Sequence, residues 1–281
     1  MSEYGRPEIL VDGAWLEAHL GDPNLRIVDC DSLDAYRRAH LPGAVPIPGD
    51  QTPGPTQANF LKDPDDPVFV MTPAQFAAKM GGMGIGDDTE VVAYDASSSN
   101  YAGRLWWCLS YYGHTRVRVL NGGWRRWLAE KRPVAVDEVK VAPATFTPRV
   151  NASLLASADY LKAAYQRPGV VVLDVRSDGE WAGTNTRGNK RGGHIPGAVH
   201  IEWLNNLAAD RDQAFRSAAE LRALYETAGV TPDKEVITVC QGGIRAAQAA
   251  LTLSLLGYDK VRNYDGSFRE WGNRDDTPIT T

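Results

Sequence analysis

A cysteine, two glycines and an arginine stand close together in the segment VITVCQGGIRAAQAA, residues 236–250. Cys240 follows a short apolar, β-favouring run, and an alanine-rich run with helical character begins directly behind it. A helix that begins here has unpaired backbone N–H groups in its first turn, and its dipole adds about half a positive charge. Gly242 and Gly243 allow the backbone to curl, and Arg245 adds a cation. These features favour a thiolate at Cys240 inside a cradle for a small anion.

The other two cysteines lack this environment. Cys108 lies within the apolar helical stretch RLWWCLSYY, which predicts a position in the core. Cys30 is flanked by Asp29 and Asp31, and these negative charges raise the pKa of a thiol. The three cysteines show neither a disulfide framework nor the CxxC spacing of a zinc site, so we expect no metal and no organic cofactor. Cys240 is therefore the predicted nucleophile.

The composition is typical of a globular protein. Of the 281 residues, 43% are hydrophobic and 23% are charged, and the formal net charge is -5. The chain has no long basic run and no apolar stretch of about 18 residues, so we expect neither nucleic acid nor a membrane as a partner. The first residues, MSEYGRPEIL, do not have the pattern of a signal peptide, which predicts a cytoplasmic location.

Three segments of the chain return in the same order, which indicates an internal repeat. The pairs are AHLPGAVPI (39–47) and GHIPGAVHI (193–201), EVVAYD (90–95) and EVITVC (235–240), and NGGWRRW (121–127) and DGSFREW (265–271). Each half alternates short β-branched runs with helical runs. This alternation predicts an α/β fold in which each half forms a mostly parallel sheet with helices on both faces.

We interpret the repeat as a tandem duplication. It predicts a first domain at 1–138, an extended linker at 139–152 and a second domain at 153–281. Asp95 occupies the place of Cys240 in the first half, so thiolate chemistry at that place is expected in the second domain alone.

With these motifs the chain resembles the tandem-domain rhodaneses, the family of thiosulfate and 3-mercaptopyruvate sulfurtransferases. The resemblance rests on HLPGA at 40–44, HIPGA at 194–198, the loop CQGGIR and YDGSFREW at 264–271, and it extends over nearly the whole chain. It implies two tandem rhodanese-like domains, of which the first is non-catalytic. It also implies that Cys240 carries sulfane sulfur as a persulfide, and that the residues around this sulfur are Gln241, Gly242, Gly243, Ile244 and Arg245.

The resemblance predicts an enzyme that moves sulfur from thiosulfate to cyanide, to a small thiol or to a protein thiol. A 3-mercaptopyruvate sulfurtransferase is the first alternative, although those enzymes usually carry the loop C-G-[SA]-G-V-[TS], and Arg245 here suits dianionic thiosulfate better. A cysteine-dependent phosphatase or arsenate reductase is the second. Related phosphatases place five residues between cysteine and arginine, whereas this loop has four. A non-catalytic sulfur-carrier or redox-sensing module is the third.

Arginines outside the loop are further candidates for binding the sulfur donor. Many family members have a substrate-binding arginine in a GRF.G segment, but this chain has GEWAG, with Glu180 at that place. Arg187 and Arg191, in TRGNKRGGHIPGA, are candidates to replace that arginine, and the alternative is a solvated basic loop. For His40 and His194 we expect a structural role at the turn before the next strand.

Overall fold

Short strands and helices alternate along the chain in the predicted order. The structure, a computed structural model, describes residues 3–47 and 60–281. The elements of the first half are β1 (Leu10–Val11), α1 (Gly13–Ala18), β2 (Leu25–Asp29), α2 (Leu33–Arg38), β3 (Val45–Pro46), α3 (Pro73–Gly82), β4 (Glu90–Tyr94), α4 (Asn100–Tyr111), β5 (Val117–Leu120) and α5 (Gly123–Ala129).

The second half repeats this order and, among the described residues, has one additional pair of short strands. Its elements are β6 (Leu155–Ala156), α6 (Ala158–Ala164), β7 (Val170–Asp174), α7 (Asp178–Trp181), β8 (Val199–His200), β9 (Leu207–Ala208), β10 (Ala214–Phe215), α8 (Ala218–Thr227), β11 (Glu235–Val239), α9 (Ile244–Leu255), β12 (Val261–Tyr264) and α10 (Ser267–Trp271). The additional pair is the antiparallel β9 and β10, and between β3 and α3 the first half has an isolated antiparallel bridge of Lys62 and Val70.

The described chain divides into two units. The first unit comprises Glu8–Asn151 together with Leu207–Phe215. The second comprises Ala152–Asn206, Arg216–Thr281 and the described residues before Glu8. The domains expected at 1–138 and 153–281 remain our proposal for the duplicated sequence. The compact units differ from these domains in two short segments, since Leu207–Phe215 belongs to the first unit and the residues before Glu8 belong to the second.

Each unit contains a five-stranded sheet, and the two sheets share one topology. The strand order is β1-β5-β4-β2-β3 in the first unit and β6-β12-β11-β7-β8 in the second, with every neighbouring pair parallel. The central strands are apolar because they are covered on both faces, as Val236, Ile237 and Val239 of β11 illustrate. The predicted fold class, two mostly parallel sheets with helices on both faces, is confirmed.

The register of the central strands places equivalent residues at the same edge of each sheet. Asp29 ends β2 opposite Tyr94 of β4, and Asp174 ends β7 opposite Val239 of β11. Asp95 and Cys240 are the next residues after these central strands. Both therefore lie at the carboxyl edge of a parallel sheet, where ligands of open α/β folds bind.

The start of α3 has a typical helix-start signal in the sequence, a threonine followed by a proline. Thr72 is the N-cap of α3, Pro73 is its first residue, and Gln75 completes a reciprocal capping box with Thr72. Residues 136–151, which include all of the predicted linker except Ala152, contain neither helix nor strand. In the described ranges, no helix has the length and apolar character needed to cross a membrane.

Candidate active site

Cys240 lies between the end of β11 and the start of α9, in a loop of four residues. Gly243 is the N-cap of α9 and has a φ of 78°, in the left-handed region that glycine adopts without strain. A Cβ at Gly243 would lie 2.4 Å from a carboxylate oxygen of Asp265. Glycine is thus required both by the turn and by the close approach of the next strand's end. Ile244 begins the helix behind the loop and is buried.

The sulfur of Cys240 is held at the bottom of this loop. The backbone N–H of Gly243 donates to Sγ at 3.1 Å, and the hydroxyl of Ser267 lies 4.0 Å from Sγ. Ser267 also accepts the N–H of Cys240 at 3.1 Å, and the carbonyl of Cys240 accepts the N–H of Phe268 at 3.0 Å. Cys240 is only 1% exposed. A thiolate here receives a backbone hydrogen bond and the positive end of α9.

The sequence suggested an unpaired Arg245 beside the loop, but the structure shows Arg245 in an ion pair. Its guanidinium makes two hydrogen bonds of 2.8 Å to the carboxylate of Glu180, a bidentate ion pair. Glu180 in turn accepts the hydroxyl of Ser177 at 2.8 Å, within the capping box of α7. The side chains of Arg245 and Glu180 are 17% and 3% exposed, so this is a largely buried pair.

The pair changes the electrostatics that the sequence predicted. Burial alone would raise the pKa of Glu180, but hydrogen bonds and charge from Arg245 hold it at about 2. Burial alone would lower the pKa of Arg245, but Glu180 and the nearby Cys240 thiolate raise it above its ordinary value. Arg245 is therefore charged and within electrostatic reach of Cys240. The sequence predicted a full positive charge at the loop. In the structure, Glu180 partly neutralises the charge of Arg245.

Gln241 connects the loop to the segment that contains Arg187 and Arg191. The amides of Gln241 and Asn189 exchange two hydrogen bonds, of 3.0 and 3.1 Å. Asn189 also accepts a hydrogen bond of 3.1 Å from Asn273. The segment thus meets the loop through Asn189, a residue that the sequence reasoning did not identify.

The hydrogen bonds that the two candidate arginines make in the described structure go to residues other than Cys240. Arg187 is exposed, and its backbone N–H donates to the side chain of Asn185. The guanidinium of Arg191 donates to the carbonyls of Thr277, Trp271 and Arg274. Arg191 therefore fastens the C-terminal segment. Its Nε is buried without a hydrogen-bond partner among the described residues, and donor binding by Arg187 or Arg191 stays a prediction.

A third arginine, Arg269, lies beside the loop instead. Its backbone N–H donates to the carbonyl of Gln241 at 2.8 Å. A Cβ at Gly242 would lie 3.8 Å from both Nε and Cζ of Arg269, so the guanidinium packs against the loop at Gly242. The sequence offered one signal for it: the recurrence of NGGWRRW as DGSFREW, in which Arg125 and Arg269 are equivalent.

The remaining predicted assignments agree with the structure. Cys30 and Cys108 are fully buried, and burial, followed by the charges of the neighbouring aspartates, raises the pKa of Cys30 well above that of a free thiol. His40 is buried and stacks on Tyr36 with ring centroids 3.9 Å apart. His194 stacks on Trp181 at 3.5 Å. Both histidines pack within the turns that they were expected to shape.

Comparison with known proteins decides the family. The rhodanese-like domain matches the chain twice, at residues 12–130 and 157–274. The protein belongs to the rhodanese family. It is 38% identical to a thiosulfate sulfurtransferase of Corynebacterium glutamicum over 99% of this chain and 92% of that protein. It is 36% identical to the sulfur carrier protein TtuD of Thermus thermophilus over 98% of each chain.

A solved structure supports the same assignment. The crystal structure of SseA from Escherichia coli, described with the rhodanese fold and catalytic mechanism of 3-mercaptopyruvate sulfotransferases, matches with a TM-score of 0.79 and 26% identity. The match covers 92% of this chain and 98% of SseA. The protein is therefore a tandem rhodanese of the sulfurtransferase family, and its relatives differ in the donor or role that their names give.

Proposed function

We propose that this rhodanese transfers the sulfane sulfur of thiosulfate to cyanide or a thiol through a persulfide on Cys240. The observation that carries the proposal is the 3.1 Å contact between the N–H of Gly243 and Sγ of Cys240, at the start of α9. A donor in this position stabilises negative charge on the sulfur before and after it accepts a second sulfur. Cys30 lacks this role because burial and the neighbouring aspartates raise the pKa of its thiol, and Cys108 lies inside α4 and not at a helix start.

The reaction has two steps. The Cys240 thiolate attacks the outer sulfur of thiosulfate, a new S–S bond forms, and sulfite leaves with the electron pair of the old one. Cyanide or a thiolate then attacks the terminal sulfur of the persulfide and forms thiocyanate or a new persulfide. The Cys240 thiolate is returned, so neither step needs an oxidant, a reductant or a cofactor.

Two charges near the loop favour thiosulfate over 3-mercaptopyruvate. Arg269 packs against the loop at Gly242, and Arg245 lies within reach of Cys240. Arg269, together with the part of the Arg245 charge that Glu180 does not neutralise, attracts a dianion more strongly than a monoanion. Four residues between Cys240 and Arg245 also make a tighter loop than related phosphatases have, so a phosphatase or arsenate reductase is the weaker alternative.

A sulfur-carrier role is the second candidate function. The relative from Thermus thermophilus is named as a sulfur carrier protein and matches this chain over 98% of its length. In that role the same Cys240 persulfide would form, but a protein thiol would be its main acceptor. The two candidates therefore share the loading step and differ in the acceptor.

Intact-mass spectrometry tests the loading step. Incubation with thiosulfate should add one sulfur, about 32 Da, to Cys240, and a thiol reductant should remove it. The variant Cys240→Ser should gain no mass. A stable adduct on Cys30 or Cys108, or no adduct at all, would contradict the proposal.

Steady-state assays with thiosulfate, 3-mercaptopyruvate and an aryl phosphate test the choice of donor. The highest kcat/KM is expected for thiosulfate, with turnover to cyanide. A higher value for 3-mercaptopyruvate would assign the first alternative. Loading of Cys240 with negligible turnover to cyanide, but transfer to a protein thiol, would assign the carrier role.

A further inference from the structure

Arg176, at the carboxyl edge of the second unit's sheet, fills a site built for a guanidinium. Its donors bond to both oxygens of Asp174, at 2.6 to 3.0 Å, and to the carbonyl of Gly193 at 2.8 Å. Its Cζ lies 3.6 Å from the centre of the Phe268 ring. Arg176 is 2% exposed. A carboxylate, a carbonyl and an aromatic face thus surround one buried cation.

The first unit has the equivalents of these partners but not of the cation. By the repeat, Asp29 corresponds to Asp174, Ala39 to Gly193 and Trp124 to Phe268, whereas the place of Arg176 is taken by Asp31. A cavity of about 270 Å³ lies here. Its lining residues are Asp29, Asp31, Ala35, Arg38, Ala39, Ala96 and Trp124. The cavity is therefore lined by the equivalents of the three residues that surround Arg176 and by one additional carboxylate.

Without a bound cation, burial and mutual repulsion disfavour the ionised forms of the carboxylates around the cavity. Burial, together with the neighbouring aspartates, raises the pKa of Asp29 to about 6 and that of Asp31 to about 8. Asp29 accepts the hydroxyl of Tyr94 at 2.5 Å, and Asp31 accepts the N–H of Ala96 at 2.7 Å. Each carboxylate oxygen has more than one lone pair, so both groups have acceptor capacity left for a ligand.

We propose that this cavity of the first unit binds a small organic cation with a guanidinium head, in the place that Arg176 takes in the second unit. The head group would bond to Asp29 and Asp31 and lie against Trp124, and indole is the aromatic ring that attracts cations best. The volume is several times the roughly 30 Å³ of one water molecule, which leaves space for a substituent on the guanidinium. The exposed Arg38 also lines the cavity, so the ligand has to bind beside it.

Isothermal titration of the full chain with methylguanidinium chloride tests this site, with urea as the neutral isostere. Saturable binding of one methylguanidinium is expected, and none of urea. Asp31→Asn should weaken the binding about ten-fold or more, because a charge-assisted hydrogen bond is lost. Asp34→Asn, an exposed residue of α2 outside the lining, is the matched control and should change the affinity less than about two-fold.

Two further measurements separate ligand binding from a general effect of charge. Asp31→Arg restores the arrangement of the second unit and should abolish methylguanidinium binding while the thermal midpoint is kept or raised. Affinity for the native protein should increase from pH 6 to pH 9 as Asp29 and Asp31 ionise. The other charged or titratable groups around the cavity are Arg38, His40, Tyr94 and Asp95.

The proposal is overturned by any of three results. These are no saturable binding of methylguanidinium, equal binding of urea, or undiminished binding by folded Asp31→Asn and Asp31→Arg variants. Circular dichroism of each variant establishes that it is folded before the titration. None of these results depends on sulfur transfer at Cys240, so the site is tested independently of the proposed function.

Discussion

Asp95 and Cys240 occupy equivalent positions, directly after the central strands of the two sheets. The carboxylate of Asp95 accepts four backbone N–H groups at the start of α4, from Ser97, Ser99, Tyr101 and Ala102, at 2.8 to 2.9 Å. At the start of α9 the acceptor is a sulfur, which receives the N–H of Gly243. The same helix N-terminus therefore binds a fixed carboxylate in the first unit and a nucleophile in the second.

The surroundings of the two loops differ in charge as well. Arg245, the second residue of α9, pairs with Glu180, whereas the second residue of α4 is Tyr101 and the equivalent of Glu180 is Ala35. At the neighbouring strand end, the second unit has the ion pair of Asp174 and Arg176, and the first has Asp29 and Asp31. The duplicated fold thus supports a balanced set of charges around Cys240 and an excess of acidic groups around Asp95.

The largest effect is expected from removing the nucleophile. Cys240→Ser should abolish sulfur transfer, because a serine hydroxyl at neutral pH is a far weaker nucleophile than a thiolate. Cys30→Ser and Cys108→Ala are the controls and should retain turnover per folded molecule, although both sites are buried and the variants should lose stability. Steady-state thiosulfate assays of purified, folded variants make the measurement. Sulfur transfer by Cys240→Ser would contradict the assignment of the nucleophile to the Cys240 loop and not to the Asp95 loop.

Removing the charge pair should have the next largest effect. Arg245→Ala leaves Glu180 as a buried, unpaired carboxylate near Cys240, which disfavours the thiolate and repels a dianion. We expect kcat/KM for thiosulfate to fall by about 10- to 100-fold, and alkylation of Cys240 to require higher pH. The kcat/KM of Arg245→Lys should lie between those of the native protein and Arg245→Ala, because lysine keeps the charge but loses the bidentate geometry.

Glu180→Gln is the complementary variant for this pair. It removes the carboxylate and leaves the charge of Arg245 without its partner, so alkylation of Cys240 should proceed at lower pH than in the native protein. The pH profile of iodoacetamide labelling measures both variants. Identical profiles for Arg245→Ala, Glu180→Gln and the native protein would limit the pair to a structural role.

The acidic groups of the first unit predict a pH dependence of stability. Asp31 titrates near pH 4 in an unfolded chain and near pH 8 in the folded protein. Between these values the folded state keeps a proton that the unfolded state has released, so stability falls as the pH rises from about 4 to 8. Asp29, with a pKa of about 6, acts in the same direction.

Asp31→Asn should remove part of this dependence. The variant is expected to be more stable than the native protein at pH 8, by about 1 kcal/mol or more, and close to it at pH 4. Asp34→Asn, on the exposed side of α2, should change stability little at either pH. Urea denaturation at the two pH values measures the difference. A native protein whose stability does not change over this range would contradict the assigned pKa of Asp31.

The sequence predicted the elements and the position of Cys240 because those depend on local patterns. β-branched runs, helical runs, the cap at Thr72 and the repeated motifs each report on neighbouring residues. The partners of the site come from distant segments, and their contacts depend on how elements pack. Glu180 meets Arg245 across 65 positions of the chain, and Asn189 meets Gln241 across 52. No periodicity records such pairs, which is why Asn189 was not identified and Glu180 was interpreted only as the loss of a substrate-binding arginine.

The smallest effect is expected from Arg269, and the repeat supplies its control. Arg269 packs against the Cys240 loop, and its equivalent Arg125 donates to the carbonyl of Ala96 in the Asp95 loop at 3.3 Å. Arg269→Ala should raise the KM for thiosulfate by about 3- to 10-fold with kcat nearly unchanged, since a partly exposed cation mainly attracts the dianion. About 0.5 M salt should remove most of the difference, because it screens such charges. Arg125→Ala should leave the kinetics unchanged. Equal effects of the two variants, or a loss confined to kcat, would show that Arg269 acts on the fold of its loop and not on the donor.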